Sequence, residues 1–421
     1  MNAVVFAVQS IGRITWEIVC YGLGRSRLQC VKNISGQLAR NNVVCAKLFQ
    51  ALSVGIRALT EEEAAYLSQY TDSVPFCSEE QRDVAEIASY ITERTGKTLA
   101  IGRTPCNSGV IALAYNGTYE DLPVIVKVKR NGIAEKVGDG LDKMEKLVKM
   151  CKFVPWLRYL DLETVFAENK VEMLTQCDFR QEVRNALKFK ANHMRLPYVR
   201  VPEVFIDVTD ADSDIIVQEK LCGVKANDIE SQNKRAYGDA LAKLVMKSAL
   251  YDGFYHADLH AGNLVFAGSR DNPVLGIFDF GIMGSLTDDA MEGFYEFFKS
   301  ACLEQNYVAA SAALTRWLVS DPDAYDALSS ADKAAIQASL VEVTADIFGA
   351  QKQLDASLIT RTNAILRTRN LALSREFCKL QLALAVGAGV AAELCGDTAA
   401  YMESVIVAVR TLVGNDVTPL I

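Results

Sequence analysis

The sequence predicts an α+β chain of two lobes behind an N-terminal helical extension, and three observations lead there. Val124-Ile125-Val126-Lys127-Val128 alternates as a strand does, with a lysine set among apolar neighbours. Residues 285 to 421 read as helical, with DPDAY near Asp321 and GD at Gly396 breaking the pattern. Between these regions lies GFYHADLHAGNLVFAGSRDNPVLGIFDFGIMG, from Gly253 to Gly284. It holds two of the chain's three histidines, His256 and His260, on either side of Asp258.

That central stretch carries the chemistry. Val274 to Phe278 reads as a buried strand that ends in Asp279-Phe280-Gly281. A carboxylate is thrown out of an apolar wall where a glycine lets the chain turn. Leu264 to Phe266 reads as the partner strand, with GSRDNP as the hairpin turn. A loop with Asp258 and Asn263 therefore accompanies a loop with Asp279. This supplies one carboxylate to orient a hydroxyl or water, and an Asn with an Asp to share a hard cation through oxygen. Protein kinases carry an Asp and an Asn at this interval, then a hairpin, then Asp-Phe-Gly. The expected architecture is accordingly a two-lobed protein-kinase-like fold.

His256-Ala257-Asp258-Leu259-His260-Ala261-Gly262-Asn263 departs from ordinary kinases, which have Arg after the His and Lys two residues beyond the Asp. Here the chain resembles the UbiB-type atypical kinase family, whose loop reads H-A-D-x-H-x-G-N. With Ala257 in place of Arg, the basic clamp for a phosphorylated activation loop is missing.

The bulk composition agrees with a globular protein. The chain has 421 residues, is 50% hydrophobic and 23% charged, and has a net charge of −8. This argues against nucleic acid as a partner. Eleven scattered cysteines with no C-x-x-C spacing read as reduced core thiols of an intracellular, cytoplasmic protein. The N-terminal apolar stretch is interrupted by Gln9, Arg13 and Glu17, which suits a surface amphipathic helix or a core-packing one. The alanine-rich run from Leu380 to Leu394 is short for a span, so no transmembrane segment is expected.

Residues 1–95 form the extension. Val44, Leu48, Ala51, Leu52, Ile56 and Leu59 recur at helical spacing, and Thr60 with Glu63 makes a capping box. Lys47-Leu48-Phe49-Gln50 resembles the family's K-x-G-Q element, with Phe49 in place of Gly. Lys47 and Gln50 lie one turn apart, and the resemblance turns them towards the nucleotide.

The small lobe is expected over 96–222. Thr98 to Gly102 and Val110 to Tyr115 are strand candidates, and Cys106-Asn107-Ser108-Gly109 stands where kinases place a Gly-rich loop. Ser108 and Gly109 let backbone N–H groups approach a phosphate; an ordinary hairpin turn explains them equally well. Lys127 matches the V-A-I-K lysine that grips the α- and β-phosphates and needs a carboxylate to hold it. A charged helical insertion follows at about 134–172. The segment from Thr175 to Asn185 resembles the family's E-x-D-Y-x-x-E-x-x-N helix. By that resemblance Glu182 is the partner of Lys127; Asp178 is retained, while Gln176 replaces the first acid. Ile215 to Gly223 reads as the join between lobes, where backbone groups of Glu219 and Leu221 face the adenine. The large lobe, 223–421, is mostly helical and lacks an A-P-E tripeptide.

The resemblance implies ATP or ADP with Mg2+ or Mn2+. Asn263 and Asp279 hold the metal, Lys127 held by Glu182 positions the phosphates, Asp258 orients the attacking oxygen, and His256 and His260 support the loop. In the family the K-x-G-Q extension packs across the peptide site. This implies an ATPase or a small-molecule or lipid-related phosphotransferase. Ubiquinone or isoprenoid-lipid metabolism, with an isoprenoid lipid, a quinone precursor and a peripheral membrane surface as partners, comes from the same source. Three alternatives stay open. One is a non-catalytic nucleotide-binding scaffold, favoured by Phe49, Gln176 and the degenerate phosphate loop. The others are a protein Ser/Thr kinase and a metal-dependent hydrolase with His256, Asp258, His260 and Asp279 as ligands.

Overall fold

The structure is a computed structural model that describes residues 3–45, 60, 62–63, 66–67, 74, 76–151, 166, 170–171, 173–349 and 357–413. Lys47, Phe49 and Gln50 lie outside the described residues. The chain divides into two compact units, Met1–Val183 with Glu203–Lys220, and Arg184–Pro202 with Leu221–Ile421.

The first unit opens with α1 (Ala3–Gly22) and α2 (Arg27–Asn41). Ser26 caps α2 by accepting the Gln29 N–H. The carboxylate of Glu17 is fully buried between the two helices, where it receives Arg25 at 2.7 Å, Arg13 at 3.1 Å and Asn33 at 3.2 Å. A buried charge is tolerable only when paired in this way. After α3 (Val84–Thr95) come β1 (Leu99–Ile101), β2 (Asn107–Ser108), β3 (Ala112–Tyr119) and β4 (Leu122–Lys129), then α4 (Ile133–Cys151). Phe6 and Ala7 of α1, Leu38 of α2 and Val137, Leu141 and Met144 of α4 share one core. The extension and the insertion are thus packed together. Helix α1 is both things the sequence allowed: it buries Phe6 and Ala7 and exposes Val4, Val8, Trp16 and Val19.

The chain continues through α5 (Phe179–His193) and β5 (Val199–Arg200) to α6 (Ile206–Ala211) and β6 (Ile215–Glu219). Strands β1-β3-β4-β6 form an antiparallel sheet in that order, with β2 added to β3. One face buries Tyr115, Val124, Val126, Val128 and Val217 against Ile87 and Ile91 of α3 and Val208 of α6. Side chains alternate along a strand, so Lys127, opposite Ala114 and Ile216, points to the other face.

The second unit contains α7 (Ser231–Leu250), β7 (Phe254–His256), β8 (Leu264–Gly268), β9 (Pro273–Ile277) and β10 (Met283–Ser285). Strands β8 and β9 make the expected hairpin, in register Leu264 to Ile277, and β5 pairs in parallel with β9. Gly268 has φ +82°, and a Cβ there would strike the Asn272 carbonyl, so the turn requires glycine. Strand β10 returns beside β7, with Met283 opposite His256.

Helices α8 (Asp288–Phe298), α9 (Tyr307–Leu318), α10 (Pro322–Asp326), α11 (Ser330–Thr344), α12 (Ser357–Arg367), α13 (Arg375–Cys395) and α14 (Thr398–Val413) follow. The breaks at Asp321 and Gly396 are a side-chain N-cap and a left-handed C-cap. Helix α13 is 21 residues long, longer than its alanine-rich run, and packs on α7. Val4–Gly22 and α13 are both long and apolar enough to cross a membrane by length and composition, and 56% of the apolar window of α13 is buried in the fold.

Candidate active site

In the first unit, the outward face of β4 carries Lys127, and the first turn of α5 carries Glu182. Lys127 Nζ donates to Glu182 Oε1 at 2.6 Å, and both side chains are nearly buried, at 12% and 9% exposure. The pair forms because period-2 alternation turns Lys127 off the core face while α5 begins at Phe179, which packs under Lys129. Lys129 on the same face pairs instead with Asp214 at 2.7 Å. Asp178 precedes α5 and accepts the Gln181 N–H through Oδ1 at 3.2 Å, an N-terminal cap.

In the same unit Ser108 ends β2 and Gly109 opens the tight turn into β3. The Gly109 N–H donates to the Ala112 carbonyl at 3.0 Å, and the Ser108 hydroxyl donates to the Val74 carbonyl while accepting Arg130 at 2.8 Å. The structure places them in the hairpin-turn arrangement that the sequence also allowed. Glu219 ends β6, its N–H donating to the Glu203 carbonyl, and the chain passes into the second unit between Lys220 and Leu221.

The second unit brings His256, Asp258, His260, Asn263 and Asp279 into one hydrogen-bonded frame. His256 closes β7 and is buried. Its Nδ1 accepts the Asp258 N–H at 3.1 Å, and its Nε2 lies in a short hydrogen bond to the Asp279 carbonyl. One nitrogen accepts and the other donates, so the ring is the neutral Nε2–H tautomer. Burial also pushes its pKa below the usual value of 6.5. The Asn263 amide donates to the Asp258 carbonyl at 2.9 Å, closing the loop across its five-residue interval. His260 Nδ1 accepts the Gly262 N–H at 3.0 Å, and its Nε2 lies 3.8 Å from Asp258 Oδ2. Asp279 Oδ1 accepts the Gly281 N–H at 3.1 Å, a local bond that fixes the carboxylate where the chain turns.

This frame decides what the residues can do. His256 uses both ring nitrogens on main-chain groups, so it is unsuited to ligating a metal. Among the described residues no group of three or more His, Cys, Asp or Glu is placed to hold a metal ion. Asn263 and Asp279 offer an amide oxygen and a carboxylate, donor types that suit a hard divalent cation.

Two contacts were not anticipated. Asn185 of α5 donates through Nδ2 to the Phe280 carbonyl at 2.9 Å, and the buried Phe280 ring lies 5.4 Å from Phe189 and 5.8 Å from His256. The signal for Asn185 was its place in the E-x-x-N helix. Lys225 donates to the Gly262 carbonyl at 3.0 Å and lies over the Phe278 ring. Nothing local in the sequence marked it.

Residues 70–313 match the family described as ABC1 atypical kinase-like domain. An uncharacterized protein in the hydrogenase 1 5′ region of Clostridium pasteurianum is 31% identical over 250 residues, 57% of this chain and 46% of the relative. A probable protein kinase UbiB of Marinobacter nauticus is 26% identical over 257 residues, 58% of this chain and 46% of that protein. The chain spans about half the length of the curated relatives it matches (46%, 42% and 46% for three of them). A solved structure of Rv3197 with erythromycin from Mycobacterium tuberculosis superposes with a TM-score of 0.49 at 17% identity, over 82% of this chain and 87% of that one.

Proposed function

Because the chain belongs to the ABC1 atypical kinase-like family, we propose that it binds an adenine nucleotide and transfers or hydrolyses the terminal phosphoryl group. Its kinase-like fold and family membership leave the acceptor open. The observation that best supports turnover is the frame in which His256 ties the Asp258 main chain to that of Asp279 while Asn263 closes the loop. Three groups held this rigidly need no reorganisation when charge moves, which is where most of the rate of phosphoryl transfer arises.

In this reading Lys127, kept extended by Glu182, positions the nucleotide phosphates. Asn263 and Asp279 hold magnesium or manganese, which supplies neutralisation of phosphate charge when bound. Asp258 orients the attacking oxygen and accepts its proton late. His256 stays neutral and holds the loop without exchanging a proton. Lys47 and Gln50 serve the same nucleotide from the extension, and Glu219 and Leu221 meet the adenine through backbone. The proposed acceptor is water or a small molecule, with isoprenoid-lipid or quinone-precursor chemistry taken from the family resemblance, in a cytoplasmic protein that meets a membrane surface peripherally.

A nucleotide-binding scaffold without turnover is the second reading. It is favoured by the Ser108–Gly109 turn, whose hydroxyl and N–H are engaged inside the first unit. ATP turnover by the full chain with magnesium, compared with Asp258→Asn, separates the two. Turnover lost in the variant supports the enzyme, whereas nucleotide binding with equal, negligible turnover in both supports the scaffold.

A further inference from the structure

We propose that the first unit holds a second ligand site, for an anionic head carried on an apolar body, in the cleft bounded by α2, α4 and residues 76–80. The cleft encloses about 650 Å³, within the range of small-molecule sites. Four cationic side chains, Arg40, Arg130, Lys136 and Lys143, line it against two carboxylates, Glu80 and Asp139. Two of those cations are more than nine-tenths buried, with Arg130 4% and Lys143 6% exposed.

Buried cations are costly unless something answers their charge. Arg130 is answered inside the protein, by Glu80 at 3.1 Å, the Val74 carbonyl at 3.0 Å and the Ser108 hydroxyl at 2.8 Å. Lys143 is answered differently. Its partner is Asp139, whose side chain is 62% exposed, so water screens that pairing. Lys136 shares Glu80 with Arg130, and Arg40 reaches the same cleft with its Nε on the Gly36 carbonyl. Among the described lining residues the cations therefore outnumber the carboxylates around a concave space. Val43, Tyr66, Val74 and Phe76 give the lining an apolar and aromatic part, beside the polar Asn41 and Asn42. A phosphate or carboxylate fits the first feature and an alkyl or aromatic body the second. Nothing in this site depends on the nucleotide reading.

Cys77 supplies the test, because it is exposed and lines the cleft, whereas Cys106 and Cys222 are exposed and do not. The full chain is alkylated with iodoacetamide near pH 9, since Glu79 beside the Cys77 thiol raises its pKa, and each cysteine is followed by peptide mass spectrometry. Octyl phosphate should slow Cys77 alkylation by about tenfold and leave Cys106 and Cys222 unchanged. Octanoate, run in parallel, distinguishes a carboxylate head from a phosphate head. Absence of protection by both anions overturns the proposal. So does equal protection by octyl glucoside, which lacks charge, or by inorganic phosphate, which lacks the apolar body. Lys143→Gln and Arg40→Gln should each cut the protection at least about fivefold without changing the unliganded rate at Cys77. Arg40 is exposed, so its variant keeps the test open if Lys143→Gln fails to fold; full protection in Arg40→Gln and in any folded Lys143→Gln also sinks the idea.

Discussion

His256 donates its Nε2 proton to the main-chain carbonyl of Asp279, and its Nδ1 accepts the Asp258 N–H at 3.1 Å. One neutral imidazole thus holds two loops together. Because burial lowers its pKa from 6.5, the imidazole takes up a second proton in the unfolded chain before it does so in the folded one. The stability it contributes is complete above the unfolded value and is lost as pH falls through about 6.5 towards the folded value. His256→Gln should cost about 1–3 kcal/mol at neutral pH. It should also flatten the fall in urea midpoint between about pH 7.5 and 5. Superimposable slopes in the two proteins would show that the imidazole is not held neutral.

Lys127 and Glu182 form a nearly buried pair, and removing one of them takes this counter-charge from the other. Lys127→Met alone should cost about 3–5 kcal/mol, while Lys127→Met with Glu182→Met should recover much of that loss. Under the proposed function, neither variant regains an ATP-dependent rise in melting temperature. Recovery of the nucleotide shift in the double variant would take Lys127 out of phosphate binding.

The parts of the site that could be read from sequence are those set by short intervals. Asp258, Asn263 and Asp279 fall in one stretch whose strand–turn–strand pattern is local, and β4 announces Lys127 by alternation alone. What could not be read depends on long-range packing. Phe6 meets Leu141 in a core shared by extension and insertion, and neither helix's periodicity names its partner. Lys225 reaches the Gly262 carbonyl from a loop with no motif. The Ser108–Gly109 turn was ambiguous because small residues serve a phosphate loop and a hairpin equally; its hydrogen bonds to Val74 and Ala112 describe the hairpin.

Asn185 belongs to the same second-unit frame, since its amide holds the Phe280 carbonyl at 2.9 Å in a buried setting. Asn185→Ala leaves that carbonyl short of a donor and should cost about 1–3 kcal/mol. Asn185→Asp should be worse, because it sets an acceptor against an acceptor. Chemical denaturation of both variants checks the order; equal stabilities would mean that the Asn185 bond has no weight.

The extension's share of the site rests on Lys47 and Gln50, which lie outside the described residues. Replacing both with Ala should change nucleotide affinity or turnover by about tenfold or more, about 1.4 kcal/mol. A solvated pair would shift either quantity by no more than about 0.5 kcal/mol. Isothermal titration with ATP and magnesium distinguishes these outcomes.

Asp279 and Asp258 should separate binding from chemistry. Asp279 is the charged member of the proposed cation ligands, and the Gly281 N–H fixes its Oδ1 at 3.1 Å. Asp279→Asn keeps shape and that acceptor but removes the charge, so magnesium-dependent nucleotide binding should weaken by about tenfold or more. Asp258 instead meets His256 and Asn263 through its main chain, so those two hydrogen bonds do not use its carboxylate. Asp258→Asn should therefore retain nucleotide affinity within about twofold and lose turnover by about a hundredfold or more, the range expected for a positioned acid–base group. Thermal-shift titration with ATP, with and without magnesium, reads the first, and phosphate release reads the second. An unchanged magnesium-dependent shift in Asp279→Asn would remove that residue from the metal. Equal losses of binding in both variants would mean that the two carboxylates do one job, and the division of roles between the loops would have to be abandoned.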